Sequence, residues 1–404
     1  MNNILVRKCY MDLLYLCACA VNSKIPDAQR IAGMDLRILY MAAKKHSLIS
    51  AAGTALESAG ALTPADTEIK RKWKEAKEKA IRKVLLLDNE RREILKYMDQ
   101  QGIWHMSLKG SVLKDFYPGY GLREMSDVDI LFDCRFREQM AEYMKRRGYE
   151  VVSYGKSNHD SYTKSPVYNF ELHCALFGET HDPLWQNYYH NVKGRLVPDK
   201  GEGCGFHFTD EDFYIYIIVH LYKHYMNAGT GLRGLLDIYV YIHAMEKSID
   251  WEYTDRELEK LGTADFERTC RSLAKQLAYP GKCFQTLHTE ETELLDLLSD
   301  SGTYGTNQIY VKRKMDKMFP DKAEYRFIDR SLYLWRRAFP GSEWVCRYYP
   351  ALEQHKWAIP FFYIYRILRV VLFRRNRVKS EFRAVRDAGK DKKVIEKHLG
   401  NPVK

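Results

Sequence analysis

Leu108-Lys109-Gly110-Ser111 and Ser126-Asp127-Val128-Asp129-Ile130-Leu131, with Arg123 between them, organise the reading of this chain. The second run is apolar enough for a buried strand, yet it carries two acids at alternate positions. Alternate side chains on a strand share a face, so Asp127 and Asp129 project together. Two carboxylates side by side repel, and unpaired charge in a core is costly. A hard, oxygen-seeking cation such as Mg²⁺, with Mn²⁺ as a substitute, resolves both problems. A third acid, Glu171 in Phe170-Glu171-Leu172-His173, sits on another expected strand. Three carboxylates suffice for two ions, which clamp the attacking and leaving oxygens of a phosphoryl displacement. Gly110-Ser111 opens a short helix directly after a strand. Free N–H groups, a glycine allowing close approach and a hydroxyl suit a triphosphate. Lys109 and Arg123 offer the balancing charge.

Outward from these runs the hydrophobic period changes twice. Strands are expected over 103–108, 128–132, 149–154 and 167–172. Short helices are expected over 110–116 and 136–147. Before this region, Thr63-Pro64 with Asp66 reads as a helix start. Behind it Ile69, Trp73, Ala76, Ala80, Val84, Leu87, Ile94 and Met98 form one apolar stripe on a long charged helix. After Thr209-Asp210-Glu211 the chain returns to helix, over 212–226, 232–246 and shorter pieces beyond. The expected fold is α+β, a small mixed β-sheet core between helical regions. The expected division is 1–100 helical, 101–205 core, and 206–404 helical with a basic tail.

The later helix adds a second cluster. His220, Lys223 and His224 fall at i, i+3 and i+4 and so share a face. Lys223 reads as a triphosphate ligand with the histidines nearby. Arg233 and Asp237, also four apart, read as an ion pair docking the next helix.

Composition sets limits on the alternatives. The chain has 404 residues, 46% hydrophobic and 29% charged, and its 36 Pro and Gly exclude a low-complexity or collagen-like chain. No apolar run is long enough for a membrane span, and Met11–Val21 lacks the flanks of a signal peptide. Nine cysteines, an odd number without a C-x-x-C, read as buried thiols in a reducing cytosol rather than a disulfide framework or zinc site. Net charge is +11, of which 13 Lys/Arg against 4 Asp/Glu from Arg366 to Lys404 supply +9. The rest is nearly neutral, so a basic surface over the whole chain is not indicated.

The combined pattern resembles the DNA polymerase β-like nucleotidyltransferase superfamily, whose signature is a Gly-Ser turn, a D-x-D strand and a later acid. More closely it is similar to the bacterial "uncharacterised nucleotidyltransferase" family. The resemblance rests on Leu108-Lys109-Gly110 with Leu113, Tyr117-Pro118, Arg123 to Asp129, Glu171-Leu172-His173, and His220 to His224 with Arg233 and Asp237. It covers about residues 100–245. It implies Asp127, Asp129 and Glu171 as metal ligands, Gly110 and Ser111 as the phosphate turn, and an NTP substrate. Glu124 stands where family members often have proline.

The expected activity is Mg²⁺-dependent transfer of an NMP group from an NTP to an acceptor hydroxyl on a small molecule, a protein or an RNA end. The last option overlaps with toxin-type nucleotidyltransferases acting on tRNA. The rival class is a non-catalytic nucleotide- or partner-binding protein keeping the fold. The expected location is cytoplasmic, with peripheral membrane attachment as an alternative. Pro360 to Phe373, with the Arg374-Arg375-Asn376-Arg377 cluster, reads as a buried C-terminal helix, an anionic membrane-surface helix or an RNA-facing segment.

Overall fold

Along Val128–Phe132 every residue is buried, and the two faces of that strand do different work. Val128, Ile130 and Phe132 enter a hydrophobic core, while Asp129 and Leu131 take the opposite side. A computed structural model describes residues 3–388 apart from 321, 323 and 374. The chain divides into two units, Met1–Lys223 with Gly231–Thr303, and His224–Thr230 with Tyr304–Lys404.

The first unit is built on a five-stranded mixed sheet. Its strands are β1 (His105–Ser107), β2 (Val128–Phe132), β3 (Glu150–Ser153), β4 (His159–Lys164) and β5 (Tyr168–His173), in the order β1-β2-β5-β4-β3. β2 and β5 are parallel, and the other pairs are antiparallel. Phe170, Leu172 and Tyr162 join Val128, Ile130 and Phe132 on the core face. Two helices cover that face. Glu68–Gln100 contributes Val84, Leu87, Ile94 and Met98, and Arg137–Arg146 contributes Met140, Ala141 and Met144. The apolar stripe expected on the long helix is, from Val84 onward, the lid of the sheet's core, whereas Trp73 packs against Tyr40. The helix begins at Glu68 with Thr67 as N-cap, later than Thr63-Pro64 suggests.

The expected boundaries at 100 and 205 fall inside this unit. The long helix and the sheet share one core, so packing does not break between them. Asn3–Val21 is buried on most sides, with Leu13, Leu14, Leu16 and Cys17 fully enclosed.

β4 is absent from the sequence-based expectation. Its residues, His-Asp-Ser-Tyr-Thr-Lys, lack an apolar alternation. The inward positions are Tyr162 and Asp160, and the acid is buried only because Arg137 forks onto it at 2.6 and 2.7 Å. The cysteines also depart from expectation. Cys134 and Cys174 form a disulfide, with Cα atoms 4.9 Å apart. They follow the adjacent ends of β2 and β5, so strand pairing unites two thiols that lie 40 positions apart in sequence.

The second unit has its own core, including Val311, Met315, Tyr325, Tyr333 and Val385. The apolar segment near 357–382 forms two helices, Ile359–Phe373 and Arg375–Asp387. Its first helix is not a buried one. Phe361, Ile364 and Leu368 are 66%, 58% and 55% exposed. Arg374 of the basic cluster and the tail from 389 onward lie outside the described residues. No helix among the described residues is long and apolar enough to cross a membrane.

Candidate active site

The face of the sheet opposite the core carries the polar constellation. Asp129 on β2 and Glu171 on β5 are direct register partners, so their side chains stand beside each other. Asp127 lies immediately before β2 and interacts electrostatically with both. The three acids thus lie within electrostatic range of one another.

Their surroundings differ sharply. Burial alone would raise Asp129, but Lys109 Nζ at 2.8 Å and His173 Nε2 at 2.8 Å hold its carboxyl well below the usual carboxylate range. Asp127 is supported less: burial, then the charge of Asp129, pushes it up to about 6 against the opposing charges of Lys109 and Arg233. Burial works against the charge on Lys109, yet Asp129 outweighs it and keeps the ammonium protonated. Lys109 reaches this position through a backbone at φ 46° and ψ −116°. That conformation costs a non-glycine residue about 1–3 kcal/mol. It is held by Leu108 N–H donating to Asp129 O at 3.0 Å, and by Leu113 N–H donating to Lys109 O at 2.9 Å.

Gly110 and Ser111 follow in a single helical turn, Gly110–Leu113, which runs on as a 3₁₀ turn, Lys114–Phe116. So short a helix has little dipole to offer an anion. Ser111 N–H is turned back to Leu108 O at 3.2 Å. Its hydroxyl, by contrast, is buried without a hydrogen-bond partner. An orphaned buried donor two residues after Lys109 suits an oxygen-rich ligand.

Arg123 is placed otherwise than expected. It is buried, and its Nε and Nη2 fork onto Asp237 at 2.7 and 2.9 Å, with Tyr117 Oη donating to the same carboxylate at 2.7 Å. A guanidinium so committed supports the fold rather than a phosphate. It also backs the turn. A Cβ on Gly110 would fall against Arg123 Nη1 and 2.9 Å from Met125 Sδ. Asp237 is therefore the partner of Arg123, and Arg233 instead donates to Glu124 O at 3.2 Å. Glu124, the departure from proline, accepts from Ser50 N–H at 3.0 Å near the start of the helix Ile49–Ser58.

The helix Asp210–Asn227 brings Tyr216 and Lys223 into electrostatic range of Asp129 and Glu171. Burial, reinforced by Lys109, lowers Lys223 to about 8, while the two acids oppose that shift. His220 lies one turn before it, 6.1 Å ring to ring from Tyr216. His224 is the first residue of the second unit.

Two histidines belong to this face that the sequence reading did not assign. His173 is buried on β5, with Nε2 3.6 Å from Glu171 Oε2. His159, its register partner on β4, also has Nε2 3.6 Å from that oxygen. His173 was detectable, because Glu171 and His173 are alternate residues of one strand. His159 was not, because its strand was not.

A family model described as uncharacterised nucleotidyltransferase matches residues 33–278. That span includes all five strands, the glycine–serine turn and the helix carrying Lys223. No curated protein and no solved structure matches the chain.

Proposed function

The chain belongs to the uncharacterised nucleotidyltransferase family, and from that premise we propose that it transfers an NMP group from a nucleoside triphosphate to an acceptor hydroxyl. The observation that carries this reading is the in-register pair Asp129 and Glu171, with Asp127 just ahead, facing Lys109 and Lys223. The donor set fits a hard divalent cation: crowded acids, one of them pushed up by burial and then by its neighbour. Asp127, Asp129 and Glu171 would hold Mg²⁺ there. Such an ion, when bound, offsets triphosphate charge and makes the acceptor hydroxyl more acidic.

The residues of the chain account for the rest. Lys223 and Lys109 supply positive charge for the phosphate oxygens, and Ser111 Oγ a hydrogen bond. The acceptor oxygen attacks the α-phosphorus, the bond to the bridging oxygen breaks, and pyrophosphate leaves with the electron pair. The hydroxyl proton passes to a carboxylate. Asp129 is already committed to Lys109 and His173, so Glu171, the more exposed of the two, is the better-placed acceptor.

One observation favours a second reading. Lys109 already satisfies Asp129 at 2.8 Å, and in a non-catalytic nucleotide-binding protein it would permanently take the place of a cation.

The test is incubation of the full chain with α-³²P-labelled NTPs, Mg²⁺ or Mn²⁺ and cell extract. Label is expected on an acceptor and is expected to vanish in Asp127→Asn and Asp129→Asn. Nucleotide bound without turnover would select the second reading. Neither binding nor turnover would refute both.

A further inference from the structure

The proposed reaction uses Glu171 but assigns nothing to the two imidazoles beside it. β4 and β5 place His159 opposite His173, with ring centroids 4.9 Å apart. Each Nε2 atom lies 3.6 Å from one oxygen, Glu171 Oε2. All three ligand atoms lie within 4.8 Å of one another. A tetrahedral ion with bonds of about 2.0–2.1 Å sets its ligands about 3.4 Å apart, so two of the three separations already match.

Ordinary hydrogen bonding leaves this arrangement poorly satisfied. Two adjacent imidazolium rings would repel each other across that short gap. Two neutral rings that turn lone pairs toward a carboxylate oxygen would repel it as well, unless a cation lies between them. His173 Nε2 meets Asp129 Oδ1 at 2.8 Å, but among the described residues His159 has no acid other than Glu171 within ion-pair distance.

We propose that His159, Glu171 and His173 form a binding site for a borderline first-row divalent cation of the Zn²⁺ type. Two imidazole nitrogens and one carboxylate suit such an ion, whereas Mg²⁺ prefers an all-oxygen shell. Three protein ligands leave a position open, as in sites that bind water or a substrate oxygen. The site deepens the reading of this face as a metal-dependent centre and rests on it only through Glu171. An ion held here draws Glu171 away from the aspartates, so Zn²⁺ is expected to inhibit Mg²⁺-supported transfer.

The experiment is equilibrium dialysis of the full chain, cleared of metal, against micromolar Zn²⁺ with millimolar Mg²⁺ present. One Zn²⁺ per chain is expected, weakened at least about tenfold in His159→Gln and His173→Gln. His159 is partly exposed, and circular dichroism checks that its variant folds. Co²⁺ added to the unmodified chain gives a readout that needs no variant: visible bands characteristic of nitrogen ligation are expected. Absence of those bands, or equal Zn²⁺ affinity in the folded His159→Gln chain, overturns the site. If the site fails while Asp127→Asn still abolishes transfer, the proposed function stands alone. If Zn²⁺ is bound by a chain that transfers nothing, the site stands and the proposed function falls.

Discussion

Asp129 and Glu171 face each other as register partners on parallel strands, and every chemical expectation for this protein passes through that pairing. The strands arrive from different parts of the chain, yet the pleat leaves no choice of face. A one-residue slip of either strand would send its acid into the hydrophobic core that holds Phe170 and Ile130. The core therefore fixes the geometry of the site on its other side.

Replacing either aspartate by asparagine removes charge with little change of shape. Asp127→Asn and Asp129→Asn are expected to lower transfer by about two to three orders of magnitude, equivalent to several kcal/mol of transition-state stabilisation. Circular dichroism should be unchanged. The two variants should differ in one respect. Asp129→Asn also strips Lys109 and His173 of their partner and should lose thermal stability, whereas Asp127→Asn relieves repulsion and should not.

Lys223 gives a pH signature. Burial and Lys109 bring it down to about 8. Its positive charge, the form that attracts phosphate, is present below that pH and lost above it. KM for the NTP is expected to rise as pH passes upward through about 8, with a smaller change in kcat. Lys223→Arg should move the rise to higher pH, and a flat KM profile from pH 7 to about 9.5 would exclude the lysine from the phosphate site.

Arg123 separates a structural role from a phosphate-binding one. Arg123→Ala strands a buried Asp237 and is expected to cost about 3–5 kcal/mol in urea unfolding. Arg123→Lys should also destabilise, because a point charge cannot fork onto both carboxylate oxygens. Wild-type stability with a raised KM for the NTP would restore Arg123 to the phosphate site.

Acid should destabilise the first unit through His46. Its Nδ1 accepts from Leu232 N–H at 3.2 Å and its Nε2 donates to Ser299 O at 3.1 Å, a pattern open only to the neutral ring. Burial and then Lys45 lower it from 6.5 to about 3. The unfolded chain takes up the proton first, so this contribution is full above 6.5 and declines as pH falls toward 3. The slope is about 1.4 kcal/mol per pH unit. His46→Gln should flatten the fall of Tm between pH 6.5 and 4.

Much of this was legible in local pattern. Val128–Phe132 reads as a strand because it is a short run, apolar apart from Asp129, and the long helix shows its stripe because Trp73, Val84, Leu87, Ile94 and Met98 recur at helical spacing. β4 was illegible because its inward acid depends on Arg137, a partner named only by the fold. The same holds for Arg123. Its charge, read with the Gly110-Ser111 turn, suggests phosphate, and only packing shows that Asp237 has claimed it.

Sequence by itself determined which chemical groups are present and which of them share a strand or a helical turn, since both follow from the repeat of the backbone. Tertiary structure alone decided which group each one meets. It set His159 beside Glu171, Asp237 beneath Arg123 and Cys134 against Cys174, because contacts across distant segments are chosen by the burial of a whole core.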